Sequence, residues 1–455
     1  MKLTLIGGGG VRSPLFVMTL LRWQERVRVD ELWLLDTDPA RLEQFGALNE
    51  ALVRRAGSPF RLEITTDPRR ALEGADHVVT AVRVGQERGR VLDERIALRH
   101  GVIGQETTGP GGFAMAMRSI PAILGCARLL RQLSPNAWLY NFTNPAGLVS
   151  QALREDGFER AIGICDGANQ GQASIAAWAG VPPERIRAEV FGLNHLSWTR
   201  RAWLDGQDQL PRALADDAFL REHQRMFDPR LVRRMGMHLN EYLYYFYHAE
   251  KALAALQSEA ITRGEEIEAL NRRLIEQLAA VDPRRDPERA LRIFFGYEQR
   301  RGATYMRSDA RAATRPENEV FDAPVPDEAG EGYAGVALGV IAALVSGEPL
   351  YTALNVPNQG AIEGMAAGDV VEVSCRVDGT GVHPLKIGEV PALPLSLMRA
   401  VKLYERLAVE AIRRRDRKLA VEALMAHPLV LSYSRASALV EEYLSAHREY
   451  VGEWS

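Results

Sequence analysis

Two pairs of polar residues follow apolar, strand-like stretches of this sequence. Cys165 and Asp166 end one stretch, and Asn194 and His195 end another. A thiolate and an imidazole can share one divalent metal ion and leave coordination positions for water and substrate oxygens. The cysteine and the histidine are thirty residues apart, which is not in itself a metal-binding spacing. A shared metal site and a buried thiol with a structural histidine therefore both remain open.

Three further side chains are candidates for acid–base or metal chemistry. Glu106, in a polar glycine-rich loop, can orient a metal-bound water or cap the helix predicted after it. Tyr242 and Tyr245 lie three residues apart in a predicted helix and share one face. Most such tyrosines pack at the edge of a core, but a tyrosine near a metal or a cation can act as a base. The residues alone leave both roles open.

Arg90 and Arg263 are candidates for anion binding, because a guanidinium fork matches the oxygens of a phosphate group. The chain contains 56 lysines and arginines. A solvated surface position is therefore the alternative for each of the two arginines.

The first 36 residues have the order of strand, glycine-rich turn, helix and strand that is typical of a nucleotide-binding unit. Residues 2–6 form an apolar strand, Pro14 opens an apolar helical run, and a second apolar strand ends at Asp36. A glycine-rich turn lets the backbone approach a pyrophosphate, and an acid after the second strand can bind a ribose diol. Ser13 breaks the strict G-x-G-x-x-G spacing. The predicted dinucleotide contacts are Ile6, Gly7, Gly8, Gly9, Gly10 and Asp36.

Strands and helices go on alternating to about residue 165. This predicts an α/β fold with a Rossmann-like, doubly wound parallel sheet, similar to that of the lactate and malate dehydrogenases. The pattern then changes, so we predict a dinucleotide-binding domain of residues 1–165 and a second, α+β domain of residues 166–455. In the second domain we predict helices at residues 242–256, 263–278, 334–345 and 396–425, a loop at residues 281–289 and a flexible loop at residues 311–326.

Composition narrows the classes of protein further. The 455 residues are 46% hydrophobic and 25% charged, with a formal net charge of −3. No long basic run suggests a nucleic acid or a membrane surface as partner. We find no secretory signal and no apolar run of the roughly 18–20 residues that span a bilayer. The three separated cysteines, Cys126, Cys165 and Cys375, argue against a disulfide framework and for a reducing, cytoplasmic compartment.

Several motifs occur in a fixed order along nearly the whole chain. They are residues 7–9, 83–86 (Arg-Val-Gly-Gln), 92–95 (Leu-Asp-Glu-Arg), 104–112, 141–145 (Asn-Phe-Thr-Asn-Pro), 163–166 (Gly-Ile-Cys-Asp), 192–195 (Gly-Leu-Asn-His), 242–245, 355–362 and 381–384. In this set and order the sequence resembles glycoside hydrolase family four, the NAD- and divalent-metal-dependent glycosidases.

The resemblance implies a role for most of the candidate residues. It places a metal ion, usually Mn²⁺, on Cys165 and His195, with Glu106 in the shell around it. It also makes Tyr242 the base and places Arg83 beside the NAD. The substrate contacts that it implies are Arg90, Asn144 and Arg263, with Arg263 at the phosphate of sugar 6-phosphates.

The resemblance also implies a mechanism that differs from the usual pair of carboxylates. NAD⁺ takes a hydride from C3 of the sugar, and the resulting ketone acidifies the proton at C2. Tyr242 removes that proton while the metal polarises the oxygens at C2 and C3. The leaving group at C1 is eliminated, water adds, and the hydride returns, so that the cofactor turns over without net redox change.

Departures from the family pattern bear on the substrate. An aspartate after the metal-binding cysteine, as at Asp166, is typical of α-acting members, although Gly-Ala follows it here in place of Met-Pro. Residues 90–98 and 141–147 are more similar to the β-acting branch. Residues 10–14, Gly-Val-Arg-Ser-Pro, replace a commoner Ser-Ser-Tyr-Thr-Pro.

We expect a 6-phospho-β-glucosidase that assembles as a homodimer or homotetramer. A 6-phospho-α-glucosidase or α-glycosidase of the same family, in which Asp166 protonates the leaving group, is the alternative. An NAD-dependent 2-hydroxy acid dehydrogenase and a non-catalytic nucleotide sensor are competing hypotheses from other classes. Neither of them accounts for the motifs of the second half.

Overall fold

The computed structural model describes residues 1–303, 319–326 and 332–455. The first part of the chain alternates strands with helices. Its strands are β1 (Lys2–Ile6), β2 (Glu31–Leu35), β3 (Arg61–Thr65), β4 (His77–Thr80), β5 (Trp138–Asn141) and β6 (Ala161–Gly163). Its helices are α1 (Ser13–Val27), α2 (Pro39–Arg55), α3 (Pro68–Leu72), α4 (Gln86–Arg99), α5 (Pro110–Leu133), α6 (Ala146–Glu155) and α7 (Gln170–Ala179).

The second part is richer in helices. Its strands are β7 (Arg187–Leu193), β8 (Leu196–Leu204), β9 (Gln207–Asp208), β10 (His238–Leu239), β11 (Leu350–Pro357), β12 (Val370–Asp378) and β13 (Gly381–Pro384). Its helices are α8 (Leu210–Ala215), α9 (Asp217–His223), α10 (Pro229–Met235), α11 (Tyr244–Tyr247), α12 (Ala249–Ser258), α13 (Arg263–Ala279), α14 (Pro287–Gly302), α15 (Gly332–Ser346), α16 (Ala392–Arg414), α17 (Arg417–Ala426), α18 (Tyr433–Ala446) and α19 (Arg448–Val451). Short 3₁₀ turns lie at Gly167–Asn169, Pro183–Arg185 and Glu241–Leu243.

The first six strands pair in parallel in the order β3-β2-β1-β4-β5-β6. Leu3 of β1 lies opposite Leu32 of β2 on one side and His77 of β4 on the other. The direction of winding reverses between β1 and β4, and a crevice opens there at the carboxyl ends of the strands. The predicted Rossmann-like, doubly wound α/β fold is confirmed.

Three strands from the second half of the chain extend the same sheet. Asn355 of β11 pairs with Gly163 of β6, and β12 and β13 follow in antiparallel order. β7 and β8 form a hairpin in a second, antiparallel sheet, and β7 packs against β12. The predicted boundary at residue 165 separates the parallel strands from all later ones and stays a prediction.

Helix α4 is fixed by a buried charge network. The carboxylate of Asp93 accepts two hydrogen bonds from the guanidinium of Arg118 on α5, at 2.9 and 2.6 Å. Oδ1 of Asp93 also lies 2.7 Å from Nε2 of His447, next to α18. All three side chains are buried. Breaking a buried ion pair leaves an uncompensated charge, so the network ties the C-terminal helices to α4, which carries Arg90.

Helix α5 corrects one expectation from the sequence. It is long and apolar enough to cross a membrane by length and composition, so the statement that the chain has no such run is wrong. Of the 18 consecutive residues that are most apolar in this helix, 67% are buried inside the protein. The helix packs there against α4, α6 and α16. The core of the protein accounts for its apolar surface.

Two predicted helices are interrupted. Residues 242–256 form a 3₁₀ turn followed by α11 and α12, because His248 leaves the helical conformation with a φ of −132°. Residues 396–425 form α16 and α17, because Arg415 between them has a left-handed φ of 55°.

The predicted loop at residues 281–289 is also partly wrong, since α14 begins at Pro287. Proline is pre-organised for the first turn of a helix, and the side chain of Asp286 accepts a hydrogen bond from the backbone of Arg289 at 3.2 Å. Of the loop predicted at residues 311–326, residues 311–318 lie outside the described residues.

Candidate active site

The carboxyl ends of the parallel strands line a cavity of about 1720 Å³. Three predicted site residues, Gly8, Cys165 and His195, do not line this cavity. A Cβ on Gly8 would overlap Leu34 of β2. Residues from α4, α13 and the turn before α11 complete the wall. The structure thereby brings together most of the residues singled out in the sequence, namely Ile6, Gly7, Gly9, Gly10, Asp36, Arg83, Arg90, Glu106, Asn144, Asp166, Tyr242 and Arg263.

The glycine-rich turn after β1 lies tightly against its neighbours. Gly7 has a φ of 95°, and a Cβ there would overlap the carbonyl oxygen of Ala81, so this position requires glycine. The carboxylate of Asp36 accepts a hydrogen bond from the backbone N–H of Gly9 at 2.9 Å. The turn leads directly into α1, so its backbone and the helix N-terminus face the cavity in a way that suits a pyrophosphate.

His195 occupies the tip of the hairpin between β7 and β8. Its φ of 60° is a left-handed conformation that costs a non-glycine residue about 1–2 kcal/mol. Its ring stacks on that of Tyr242, with 3.7 Å between centroids and 2° between planes. An imidazole kept in this conformation is a candidate for function.

The two ring nitrogens of His195 have different surroundings. Nδ1 lies 2.9 Å from Oγ1 of Thr107, whereas Nε2 is buried and makes no hydrogen bond to any residue that the structure describes. Burial lowers the pKa of His195 to about 4, against the charge of Glu106. The imidazole is therefore neutral near pH 7, with a lone pair on one nitrogen.

Cys165 is buried, and its neighbour in the chain, Asp166, lines the cavity. Burial, followed by the charges of Glu372 and Asp166, raises the pKa of its thiol well above the usual value. The amide of Asn194 lowers the pKa of the thiol as a smaller effect and donates a hydrogen bond to Oε1 of Glu372 at 3.3 Å. Because His195 follows Asn194, one turn carries both the imidazole and a contact to the thiol. A thiolate becomes favourable in this setting when a cation compensates its charge.

Glu372 is a site residue that the sequence analysis missed. It lies in the buried strand β12, and the amide of Asn355 donates a hydrogen bond to its Oε1 at 3.1 Å. Burial raises its pKa to about 7. A glutamate inside the apolar run Val-Val-Glu-Val is the signal that would have found it, because carboxylates are seldom fully buried without a partner.

Arg90 is buried between two carboxylates. Its Nε lies 2.8 Å from Glu94 and its Nη1 lies 3.2 Å from Glu106, which also pairs with Arg83 at 2.8 Å. Burial alone would raise the pKa of Glu106, but Arg83 and Arg90 lower it to about 2. The alternative that Glu106 caps α5 is not seen, since the N-cap position is Gly109.

Arg263 and Arg301 line the same cavity as Arg90, and the charges of Arg90 and Arg301 act on Arg263. Nη1 of Arg263 lies 2.6 Å from Glu266, and its Nη2 donates to the carbonyl oxygen of Arg301 at 3.0 Å. Burial lowers the pKa of Arg263, and the like charges of Arg90 and Arg301 lower it further although Glu266 opposes them. An anion bound there relieves the mutual repulsion of three guanidinium groups. Arg301 was not predicted as a site residue.

Asp166 lies in the cavity wall close to Tyr333. Burial raises the pKa of Asp166, and the charge of Arg12 partly offsets this effect. Tyr333 lowers the pKa of this carboxyl as a smaller effect, and its ring packs against Phe142 at 5.8 Å between centroids. A carboxyl with a raised pKa can hold a proton for a leaving group. No local pattern marks Tyr333, because only the packing of α15 on α1 brings it here.

Tyr242 and Tyr245 both line the cavity. Burial lowers the pKa of Arg90, but the charges of Glu106 and Glu94, and to a smaller extent that of a Tyr242 phenolate, raise it above the usual value. Burial and the charge of Glu94 raise the pKa of Tyr245. The cation of Arg90 lies near both tyrosines and favours a phenolate in either. The stacking of Tyr242 on His195 places Tyr242 beside the candidate metal ligand.

Comparison with known families decides between the hypotheses. The model described as Family 4 glycosyl hydrolase matches residues 2–180, and the model described as Family 4 glycosyl hydrolase C-terminal domain matches residues 190–430. The chain belongs to glycosyl hydrolase family 4. The resemblance drawn from the motifs is confirmed, and this enzyme is a glycoside hydrolase rather than a simple dehydrogenase.

The relatives of this family 4 enzyme include proteins named as β-acting and proteins named as α-acting 6-phospho-glucosidases. A probable 6-phospho-beta-glucosidase of Bacillus subtilis (strain 168) is 31% identical, over 100% of this chain and 98% of the relative. 6-phospho-alpha-glucosidase 1 of Lacticaseibacillus paracasei is 28% identical, over 98% and 97% of the two chains. The structure of the 6-phospho-beta glucosidase from Thermotoga maritima with manganese, NAD⁺ and glucose-6-phosphate has a TM-score of 0.83 at 29% identity, with 100% of both chains covered.

We predict that Glu372→Gln removes a pH dependence from the stability of the metal-free enzyme. Burial raises the pKa of Glu372 from 4.5 to about 7, so the folded state binds the proton more tightly than the unfolded state. This contribution to stability is complete below about pH 4 and is lost as the pH rises through about 7. The free energy of unfolding of the wild type should fall by up to about 3 kcal/mol across that window relative to the variant.

Urea unfolding of both proteins between about pH 5 and about pH 8 measures this difference. Glu441→Gln is the matched control, because this side chain is 58% exposed on α18. Parallel pH profiles of wild type and Glu372→Gln would contradict the prediction.

Proposed function

We propose that this enzyme hydrolyses 6-phospho-β-glucosides with NAD and a divalent metal ion, Mn²⁺ by preference. The observation that carries the proposal is the approach of Arg90, Arg263 and Arg301 to one part of a cavity that also contains a dinucleotide-type turn. The Thermotoga maritima 6-phospho-beta glucosidase, solved with manganese, NAD⁺ and glucose-6-phosphate, supports the same set of ligands here.

The arginine cluster suits the 6-phosphate of the sugar. Arg263 pairs with Glu266, and the charges of Arg90 and Arg301 act on it as neighbouring cations. A phosphate dianion can accept hydrogen bonds from guanidinium groups that meet in this way. We place the phosphate at Arg263, and the sugar ring between Arg90 and Asn144.

The glycine-rich turn suits the NAD. The close backbone of Gly7 and Gly9 and the N-terminus of α1 fit the pyrophosphate, and Asp36 lies at the end of β2, where a ribose diol binds. We place the cofactor along this part of the cavity wall, in contact with Ile6, Gly7, Gly9, Gly10, Asp36 and Arg83.

Cys165 and His195 suit the metal ion. Across the described residues, no group of three or more His, Cys, Asp or Glu side chains is arranged to hold a metal. His195 nevertheless offers a buried Nε2 without a hydrogen bond to any described residue, and Cys165 has a thiol whose raised pKa favours ionisation only beside a cation. Two protein ligands leave coordination positions for sugar oxygens and water. We place Glu106 in the shell around the metal, since its charge acts on His195.

The chemistry divides between bound groups and side chains. When bound, NAD supplies hydride exchange at C3 and the metal supplies a Lewis acid for the oxygens at C2 and C3. Tyr242 takes the proton from C2 onto its phenol oxygen, and the nearby cation of Arg90 stabilises the phenolate that does so. In an α-acting enzyme, Asp166 would hold a proton for the leaving oxygen at C1, since burial raises its pKa.

A 6-phospho-α-glucosidase is the second candidate. Asp166 is the observation that favours it, because an acid at this position is typical of the α-acting branch that the sequence partly resembles. The 28% identity to the Lacticaseibacillus paracasei enzyme is close to the 31% identity to the Bacillus subtilis one, so overall similarity does not decide the anomer.

We further propose that the enzyme works in the cytoplasm as a homodimer or homotetramer. Its three cysteines are free, and two of them are buried, which supports a reducing compartment.

We predict that p-nitrophenyl β-glucoside 6-phosphate is the preferred substrate among four p-nitrophenyl glucosides, α and β, each with and without the phosphate. Release of p-nitrophenol should require both NAD⁺ and Mn²⁺, and omitting each in turn provides the control. Preference for the α-6-phosphate would contradict the β assignment and support Asp166 as the determinant of the anomer. Equal rates with and without phosphate would contradict the phosphate site.

We also predict that Arg263→Ala lowers kcat/KM for the phosphorylated substrate by about 10- to 100-fold, the usual effect of losing hydrogen bonds to a charged group. Activity towards the unphosphorylated glucoside should change little, so the ratio of the two kcat/KM values is the measurement. Arg285→Ala is the control, because this guanidinium is 89% exposed. An unchanged ratio in Arg263→Ala would place the phosphate elsewhere.

A further inference from the structure

The loop before α5 makes a chain of hydrogen bonds that ends at His195. Oε1 of Gln105 accepts hydrogen bonds from the backbone N–H groups of Thr107 and Thr108, at 2.7 and 2.6 Å. Oγ1 of Thr107 lies 2.9 Å from this same Oε1, and 2.9 Å from Nδ1 of His195. Two backbone donors can meet only an acceptor, so this atom of Gln105 is the amide oxygen and not the nitrogen.

The direction of every bond in the chain follows from that assignment. An amide oxygen cannot donate, so the single hydroxyl proton of Thr107 points to Gln105. Towards His195, the oxygen of Thr107 can then only accept a hydrogen bond. Nδ1 of His195 must therefore carry a proton and donate it to that oxygen. In a neutral imidazole the other nitrogen, Nε2, is then the unprotonated one.

Close packing on both sides holds the loop and the imidazole in this hydrogen-bonded arrangement. Gly111 and Gly112 in the first turn of α5 lie directly under it, and a Cβ on either would overlap the carbonyl oxygen of Gln105 or of Thr107. On the other side, the ring of Tyr242 covers the imidazole at 3.7 Å. The buried Nε2 is the only ring nitrogen of His195 without a hydrogen bond to a described residue.

We propose that Gln105 and Thr107 are positioning residues that hold His195 in the tautomer with a free Nε2 lone pair, ready to bind a divalent metal. The inference rests on the metal role proposed above for His195. A ligand histidine is commonly oriented by a hydrogen bond to its other nitrogen. Here the partner is a hydroxyl that is itself oriented by an amide.

The test measures Mn²⁺ binding to the purified full-length enzyme, by titration with detection of free Mn²⁺ by electron paramagnetic resonance. Thr107→Val removes the acceptor without changing the side-chain shape and should weaken Mn²⁺ binding by about 10- to 100-fold. Thr107→Ser keeps a hydroxyl and should bind as the wild type does. Thr108→Val is the matched control, because its buried hydroxyl makes no hydrogen bond to a described residue.

His195→Ala separates this inference from the proposed function. If His195→Ala loses Mn²⁺ binding while Thr107→Val binds normally, the positioning role is refuted and the metal site stands. If His195→Ala binds Mn²⁺ normally, both the metal site and the positioning role fail. Thermal unfolding of each variant checks that it is folded.

A second measurement needs no variant of the loop. The ¹⁵N chemical shifts of the imidazole of His195, assigned through the signal missing in His195→Ala, report which nitrogen carries the proton in the metal-free enzyme. We expect a protonated Nδ1 and a bare Nε2. A protonated Nε2 would overturn the proposal.

Discussion

The flat contact between the rings of Tyr242 and His195, 3.7 Å apart, is the interaction on which the rest of the site depends. It joins the β7–β8 hairpin to the 3₁₀ turn before α11, and so joins the proposed metal ligand to the proposed base. The hairpin is in turn fixed to the main sheet by Ser374 of β12, whose hydroxyl accepts from the backbone of Val190 at 2.8 Å and donates to Ala188 at 3.0 Å. Elements far apart in the sequence thereby meet at one edge of the sheet.

Burial sets the electrostatics around that contact. Inside the protein a charge without a partner is costly, so Glu106 is held ionised by Arg83 and Arg90, while His195 is held neutral. The thiol of Cys165 is held protonated by the same burial. Arg90, Arg263 and Arg301 line the cavity, and the proposed phosphate of the sugar would accept hydrogen bonds from their guanidinium groups. A divalent metal would allow the neutral thiol of Cys165 to ionise.

The sequence predicts the parts of this site that follow strands. Gly7, Asp36 and Cys165 lie at the ends of strands whose apolar runs and order are visible in the sequence, and parallel pairing brings such ends to one edge. Tyr333 and Arg301 reach the cavity only through the packing of long-range helices, which no local pattern encodes. Glu372 was missed for another reason, since its strand was recognised but its charge was not weighed against burial. The break at His248 was missed because the apolar period continues across it.

The measurement that tests the account most directly is the exchange of hydrogen at C2 of the sugar during hydrolysis of the β-linked 6-phosphate substrate in D₂O. If Tyr242 removes the C2 proton before the leaving group departs, a solvent deuteron replaces it, and the glucose 6-phosphate formed carries deuterium at C2. Tyr242→Phe should then slow product formation and exchange together. Product that retains its original hydrogen at C2 would contradict deprotonation by Tyr242 and point to direct displacement at C1.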